Sequence, residues 1–138
     1  MKLFVGAKGL VEYNGKILLL QESARYLDGS EVGKWDVPGG RIDPEETTKD
    51  GLIREIREES GLEIAEIGEV LGVYDGFPMI RGEKCHVVRA YFLCTAVNDA
   101  VVLSNDHDEY AWVDPDEIGE RVLMDDIHEV IERYRAMR

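Results

Sequence analysis

The stretch from Asp43 to Gly61 limits the fold of this 138-residue chain more than any other. Asp43, Pro44 and Glu46 read as the N-cap, first turn and reciprocal partner of a capping box, and Gly61 after Ser60 supplies a stop. At about 100° per residue, Glu55, Glu58 and Glu59 share one face of the predicted helix, with Thr48 and Gly51 on it too. Leu52, Ile53 and Ile56 form the neighbouring apolar stripe, which would pack on a sheet. Like charges one turn apart repel, and a mid-helix Gly costs about 0.5–1 kcal/mol relative to Ala. Taken alone, such a face is ordinary solvated surface. Three carboxylates on one face also make an oxygen-rich site for a hard divalent cation, Mg²⁺ foremost, with Gly51 leaving room for a ligand.

Strands surround this helix. Phe4 to Tyr13 and Lys16 to Gln21 flank Asn14-Gly15, a two-residue hairpin turn. Trp35-Asp36-Val37 is a short strand stopped by Pro38-Gly39-Gly40. Ile67 to Tyr74 and Cys85 to Val97 read as strands, with shorter candidates at Val101 to Leu103 and Tyr110 to Val113. Asp114-Pro115-Asp116-Glu117 repeats the cap signature and predicts a short helix, and a terminal amphipathic helix is predicted from about Asp126 to Met137. Strands mixed with a central and a terminal helix indicate an α+β or α/β sandwich, and the length suits one domain over residues 1–138.

Charge narrows the partners. The 29 acids against 16 Lys and Arg give a net charge of −13, which argues against gripping polymeric nucleic acid or an anionic membrane. The acids are unevenly placed: residues 43–69 hold 10 acids and 3 bases, and residues 99–132 hold 12 acids and 1 base. The remainder is therefore basic. Cys85 and Cys94 fit no metal spacing and are too few for a disulfide framework, so a cytoplasmic protein with reduced thiols is expected. Gly6, Lys8 and Glu12 interrupt any leader-like N-terminal core.

Gly40, Glu46, Arg54, Glu55, Ile56, Glu58, Glu59, Gly61 and Leu62 read Gly-x5-Glu-x7-Arg-Glu-Ile-x-Glu-Glu-x-Gly-Leu. This resembles the signature of the Nudix hydrolases, the MutT-like enzymes, with every defining position filled, and Trp35 to Gly40 is similar to the family's lead-in. The resemblance implies an α/β/α sandwich with a mixed sheet. It also implies hydrolysis of a nucleoside diphosphate linked to another moiety, with Mg²⁺ or Mn²⁺. By that likeness Glu55, Glu58, Glu59 and the main-chain carbonyl of Gly39 are metal ligands, and Arg54 orients the first carboxylate. Glu46 is read mainly as a helix cap. Glu55 or Glu58 is the candidate general base, with the Asp106-His107-Asp108-Glu109 segment, Glu109 in particular, as a distal alternative.

Arg25, Gly40 and Arg41 are expected at the substrate, and Tyr26 and Phe77 are candidates to stack on a base. Lys34, Arg81, Lys84 and Arg89 are further cations outside the acidic segments. Pro78, sixteen residues beyond Leu62, resembles a mark of the ADP-ribose branch, although Asp-Gly-Phe-Pro is good turn chemistry by itself. The expected reaction is Mg²⁺-dependent hydrolysis of a nucleoside triphosphate, plain or modified, to the monophosphate. ADP-ribose or a nucleotide sugar is the runner-up substrate, and a catalytically silent nucleotide-binding sensor is the alternative of another class. Dimers are frequent among similar proteins, so a homodimer stays open.

Overall fold

A computed structural model describes residues 1–23 and 32–138. Strand β1 (Lys2–Tyr13) turns through Asn14 and Gly15, whose φ values of 50° and 77° suit a primed hairpin turn, into β2 (Lys16–Glu22). Then follow β3 (Trp35–Asp36), β4 (Gly39–Arg41), α1 (Thr48–Ser60), β5 (Ile64–Gly76), β6 (Met79–Ile80), β7 (Glu83–Ala96), β8 (His107–Val113) and α2 (Ile127–Ala136). The sheet is mixed. Its order is β3-β2-β1-β7-β5, with β1 and β7 parallel; β4 pairs antiparallel with β1, and β8 with β2.

The period-2 alternation of the strands builds two cores, one on each face. Ile17 and Leu19 of β2 join Leu10 and Tyr91 beneath Ile127, Val130, Ile131 and Tyr134 of α2. Leu18 and Leu20 join Ala7, Val11 and Cys94 beneath Leu52 and Ile56 of α1. The expected α/β/α layering follows directly. Burying Leu52 and Ile56 contributes about 1.5–3 kcal/mol each, against a few tenths for each like-charge pair on the neighbouring face. Packing therefore outweighs repulsion among the α1 acids. Gly9 lets α1 sit close, since a Cβ there would lie 2.8 Å from Ile56 Cδ1 and 3.1 Å from Cys94 Sγ. Among the described residues no helix is long and apolar enough to cross a membrane.

Four local expectations change. The helix begins at Thr48, capped by the Thr47 hydroxyl, which accepts from the Asp50 N–H at 3.1 Å. Asp43 and Glu46 form their own turn instead, with the Asp43 N–H donating to Glu46 Oε1 at 2.8 Å. Gly51 is buried, and its missing Cβ clears space for Glu46, whose Oε1 would lie 2.9 Å away, rather than for a ligand. Residues 101–103 are not a strand: Val102 and Ser104 donate to the Ser60 and Glu59 carbonyls, tying this loop to the end of α1. Asp114 to Glu117 makes a turn rather than a helix, because the Asp114 carboxylate accepts from the Asp116 N–H at 2.9 Å.

Candidate active site

The glycine bend before α1 sets the site. Gly39 pairs with Lys8 of β1 at φ 146°, a conformation side chains rarely adopt, and its N–H donates to Glu59 Oε1 at 2.7 Å. Gly40 follows, packed so tightly on α1 that a Cβ would meet the Glu55 carboxylate at 2.6 Å. Two of the three helix acids thus abut the bend.

Arg54 organises the others. Its Nε and Nη2 bind Glu46 at 3.0 and 2.5 Å, a bidentate pair that holds the Glu46 carboxyl well below its usual range, at about 2. Nη1 reaches Glu55 at 3.1 Å and Glu58 at 3.3 Å, and Nη2 also donates to the Arg41 carbonyl at 3.2 Å. One guanidinium therefore hydrogen-bonds to three acids, with Asp43 a fourth at 3.6 Å, and relieves the repulsion between them. Glu46 serves as the anchor of Arg54, not as the helix cap its spacing suggested.

Glu59 is different. Burial pushes its carboxyl up to about 8, opposed by the nearby Lys8 ammonium and the Gly39 N–H. Glu55 is also raised, by desolvation first, although Arg54 pulls the other way. Glu58 is mostly exposed and turned to Arg54. Among the described residues no three acidic, His or Cys side chains converge on a single point. The donor set nevertheless suits a hard divalent cation: Glu55 and Glu59 present carboxylate oxygens on one cavity wall, and Glu59 is a part-buried carboxylate whose charge the Lys8 ammonium and the Gly39 N–H offset only in part.

That cavity, about 440 Å³, is lined by Phe4, Lys8, Gly39, Gly40, Arg41, Glu55, Glu59, Arg89 and Asp106, among others. It shares Lys8, Arg41, Val87 and Arg89 with a second cleft of about 570 Å³ bearing Phe77, Pro78, Tyr91, Met124 and Asp126. Phe77 lies stacked on His86, ring centroids 4.6 Å apart, and His86 is held by Asp75 at 2.7 Å. Arg89 Nε and the Tyr91 hydroxyl both donate to Asp126, at 2.9 and 3.0 Å. Asp126 spends its carboxylate there and makes no side-chain cap for α2. Lys8 is paired with Asp36.

The structure thus brings Glu55, Glu59, Gly39, Gly40 and Arg41 together, leaves Glu58 at the rim, and places Phe77 in the adjoining cleft. Arg25 and Tyr26 lie outside the described residues. Glu109 is exposed on β8 opposite Gln21, whereas Asp106 and His107 of the same segment line a small cavity beside Glu59. His107 is part-buried and its Nδ1 has no hydrogen-bond partner among the described residues. Sequence reasoning missed the Lys8–Asp36 pair and the Asp126 cluster. Their trace was polar residues in the strands, such as Lys8, Asp36 and Arg89, and an acid at the start of a helix, patterns that surface elements share.

Residues 4–134 match the NUDIX domain family. The chain is 26% identical over 138 residues to the CTP pyrophosphohydrolase of Escherichia coli, covering all of this chain and 96% of that protein. It is 31% identical over 125 residues to the nucleoside triphosphatase NudI of Salmonella heidelberg, covering 80% of this chain and 81% of the other. The crystal structure of the MutT protein from Methanosarcina mazei superposes with a TM-score of 0.77 at 30% identity, over 99% of this chain and 95% of that one. The glycine bend, the acidic helix and the sandwich that holds them accordingly have one origin: the chain belongs to the NUDIX domain family and is a Nudix hydrolase.

Proposed function

We propose that this Nudix hydrolase cleaves the pyrophosphate linkage of a nucleoside triphosphate, plain or modified, releasing the nucleoside monophosphate, with Mg²⁺ as its metal and Mn²⁺ able to substitute. The observation that carries this reading is one shared wall. Glu55 and Glu59 line the same cavity as Arg41 and Arg89, and that cavity opens into the cleft holding Phe77. Carboxylates for a cation, cations for phosphates and a ring for a base stand in sequence along it. The names of the Escherichia coli and Salmonella relatives support a nucleoside triphosphate.

Nudix hydrolases are in general divalent-metal dependent. A bound divalent cation supplies polarisation of phosphoryl oxygens and acidification of a coordinated water. Glu55, Glu58, Glu59 and the Gly39 carbonyl are the proposed ligands. Arg54 holds Glu55 and Glu58 on the cavity side of α1, and Glu46 holds Arg54. Glu55 or Glu58 takes the proton from the attacking water; outside the helix, Asp106 is better placed than Glu109 to do so, since it lines the cavity. Gly40 lets the Glu55 carboxylate close against the bend, and Phe77 offers its exposed ring to the base. The working unit is a single domain acting on free nucleotides in the cytoplasm.

Purified protein with Mg²⁺ should convert at least one nucleoside triphosphate in a panel to monophosphate and pyrophosphate, read by product chromatography. The panel should span plain and oxidised triphosphates, ADP-ribose and nucleotide sugars. Preferential cleavage of ADP-ribose would move the substrate to the second class, for which Pro78 in the cleft wall speaks. Binding without any product release would make the chain a sensor and end the catalytic reading.

A further inference from the structure

The cations of the two cavities differ in how far their charge is already spent. Lys8 is paired with Asp36, Arg89 with Asp126 at 2.9 Å, and Arg54 with Glu46, Glu55 and Glu58. Arg41 makes no ion pair among the described residues, yet it lines both cavities and also a third, about 330 Å³, that contains Arg81. Its guanidinium carbon stands 3.6 Å from the centroid of the Phe4 ring. The register explains the seat. Arg41 of β4 lies opposite Gly6 of β1, which has no side chain, so Arg41 reaches the diagonal neighbour two residues away, Phe4. Its backbone is pinned as well, by Arg54 on its carbonyl and by the Ile42 N–H on the Val5 carbonyl at 2.9 Å.

We propose that Arg41, seated on Phe4, is the subsite for the terminal phosphate of the substrate, and that Phe4 is its positioning residue. The proposal rests on the triphosphate reading above and deepens it. A terminal phosphate carries a second negative charge near neutral pH, whereas each phosphorus inside a diester-linked diphosphate such as ADP-ribose carries one. A guanidinium with no ion pair among the described residues rewards that extra charge and can bind two of its oxygens in a fork. The ring face holds the planar cation without neutralising it, which a carboxylate partner would do. Phe4 thus fixes direction while leaving the full charge for the ligand.

The test compares the ratio of kcat/KM for a nucleoside triphosphate to kcat/KM for ADP-ribose in the parent and three variants. Arg41→Gln should lower this ratio at least about tenfold, mainly through KM for the triphosphate. Phe4→Leu should lower it about two- to fivefold, and Phe4→Tyr, which keeps a ring face, should restore it. A general packing defect would lower both substrates together and leave the ratio unchanged, so an unchanged ratio in Arg41→Gln overturns the subsite. A lowered ratio in Arg41→Gln with parental behaviour in Phe4→Leu overturns the role of Phe4. A parent enzyme that cleaves no triphosphate overturns the functional reading itself, and the inference with it; an active parent with an indifferent Arg41→Gln overturns the inference alone.

Discussion

Glu59→Gln should lower kcat at least about 100-fold and still give, in metal-free buffer at pH 8.5, a protein more stable than the parent. Both effects come from the same burial. The Glu59 carboxyl sits behind the glycine bend with its pKa pushed up from 4.5 to about 8, chiefly because the charged form loses its hydration there. In the unfolded chain it ionises at the ordinary value. Below about pH 4.5 both states hold the proton and nothing is lost. Between 4.5 and 8 the folded state holds a proton that the unfolded state has released, so stability falls as pH rises through this window. The total loss is roughly 3–5 kcal/mol by linkage. Glutamine has the shape of the protonated acid and no charge to expose, and its oxygen can still accept the Gly39 N–H. The variant should therefore match the parent near pH 5 and overtake it by pH 8.5, read from denaturant midpoints in chelator. Parallel pH profiles for the two proteins would show that Glu59 is not held in the desolvated state described. Parental turnover in the variant would remove Glu59 from the proposed ligands.

Much of this site was legible in the sequence because its chemistry is local. Glu55, Glu58 and Glu59 share a face by helical spacing alone, and Asn14-Gly15 and Gly61 announce a turn and a stop by their backbone needs. The layers were legible too, since the alternation of Ile17, Leu18, Leu19 and Leu20 sends each side chain to one of two cores. What failed was local chemistry with a stronger distant competitor. Asp43 and Glu46 have the spacing of a capping box, but Glu46 gains more from two charged bonds to Arg54 and from the space over Gly51, so the cap passes to Thr47. Arg89, Tyr91 and Asp126 meet across the packing of β7 with the start of α2. No spacing rule encodes that contact, nor the diagonal from Arg41 to Phe4, until the pairing of β4 with β1 is known. Glu109 shows the same limit: it lies exposed within β8 opposite Gln21, whereas Asp106, just before the strand begins, lines the cavity, and only the pairing of β8 with β2 reveals which end of the segment reaches it.

The two glycines of the bend should separate folding from catalysis. Gly39→Ala would place a Cβ 2.4 Å from the Ala7 carbonyl oxygen and 2.5 Å from Lys8 Cα, at a φ of 146° that disfavours any side chain. Both obstacles are backbone, so relief requires β4 to leave β1 and to surrender the Gly39 bond to Glu59. A loss of at least about 4 kcal/mol, or failure to fold, is expected. Gly40→Ala meets only the Glu55 carboxylate, at 2.6 Å, the far end of a flexible side chain. That group can swing aside, so stability should fall by no more than about 1–2 kcal/mol. Moving Glu55 by an ångström should nevertheless cost about 10- to 100-fold in kcat. Denaturation curves and steady-state rates on the same preparations distinguish the cases. If Gly40→Ala unfolds as readily as Gly39→Ala, Glu55 is fixed rigidly by its Arg54 contact; if it keeps the parental rate, the position of Glu55 does not govern turnover. The expected pattern, one neighbour needed for the fold and the next for the reaction, follows from what each missing Cβ would touch.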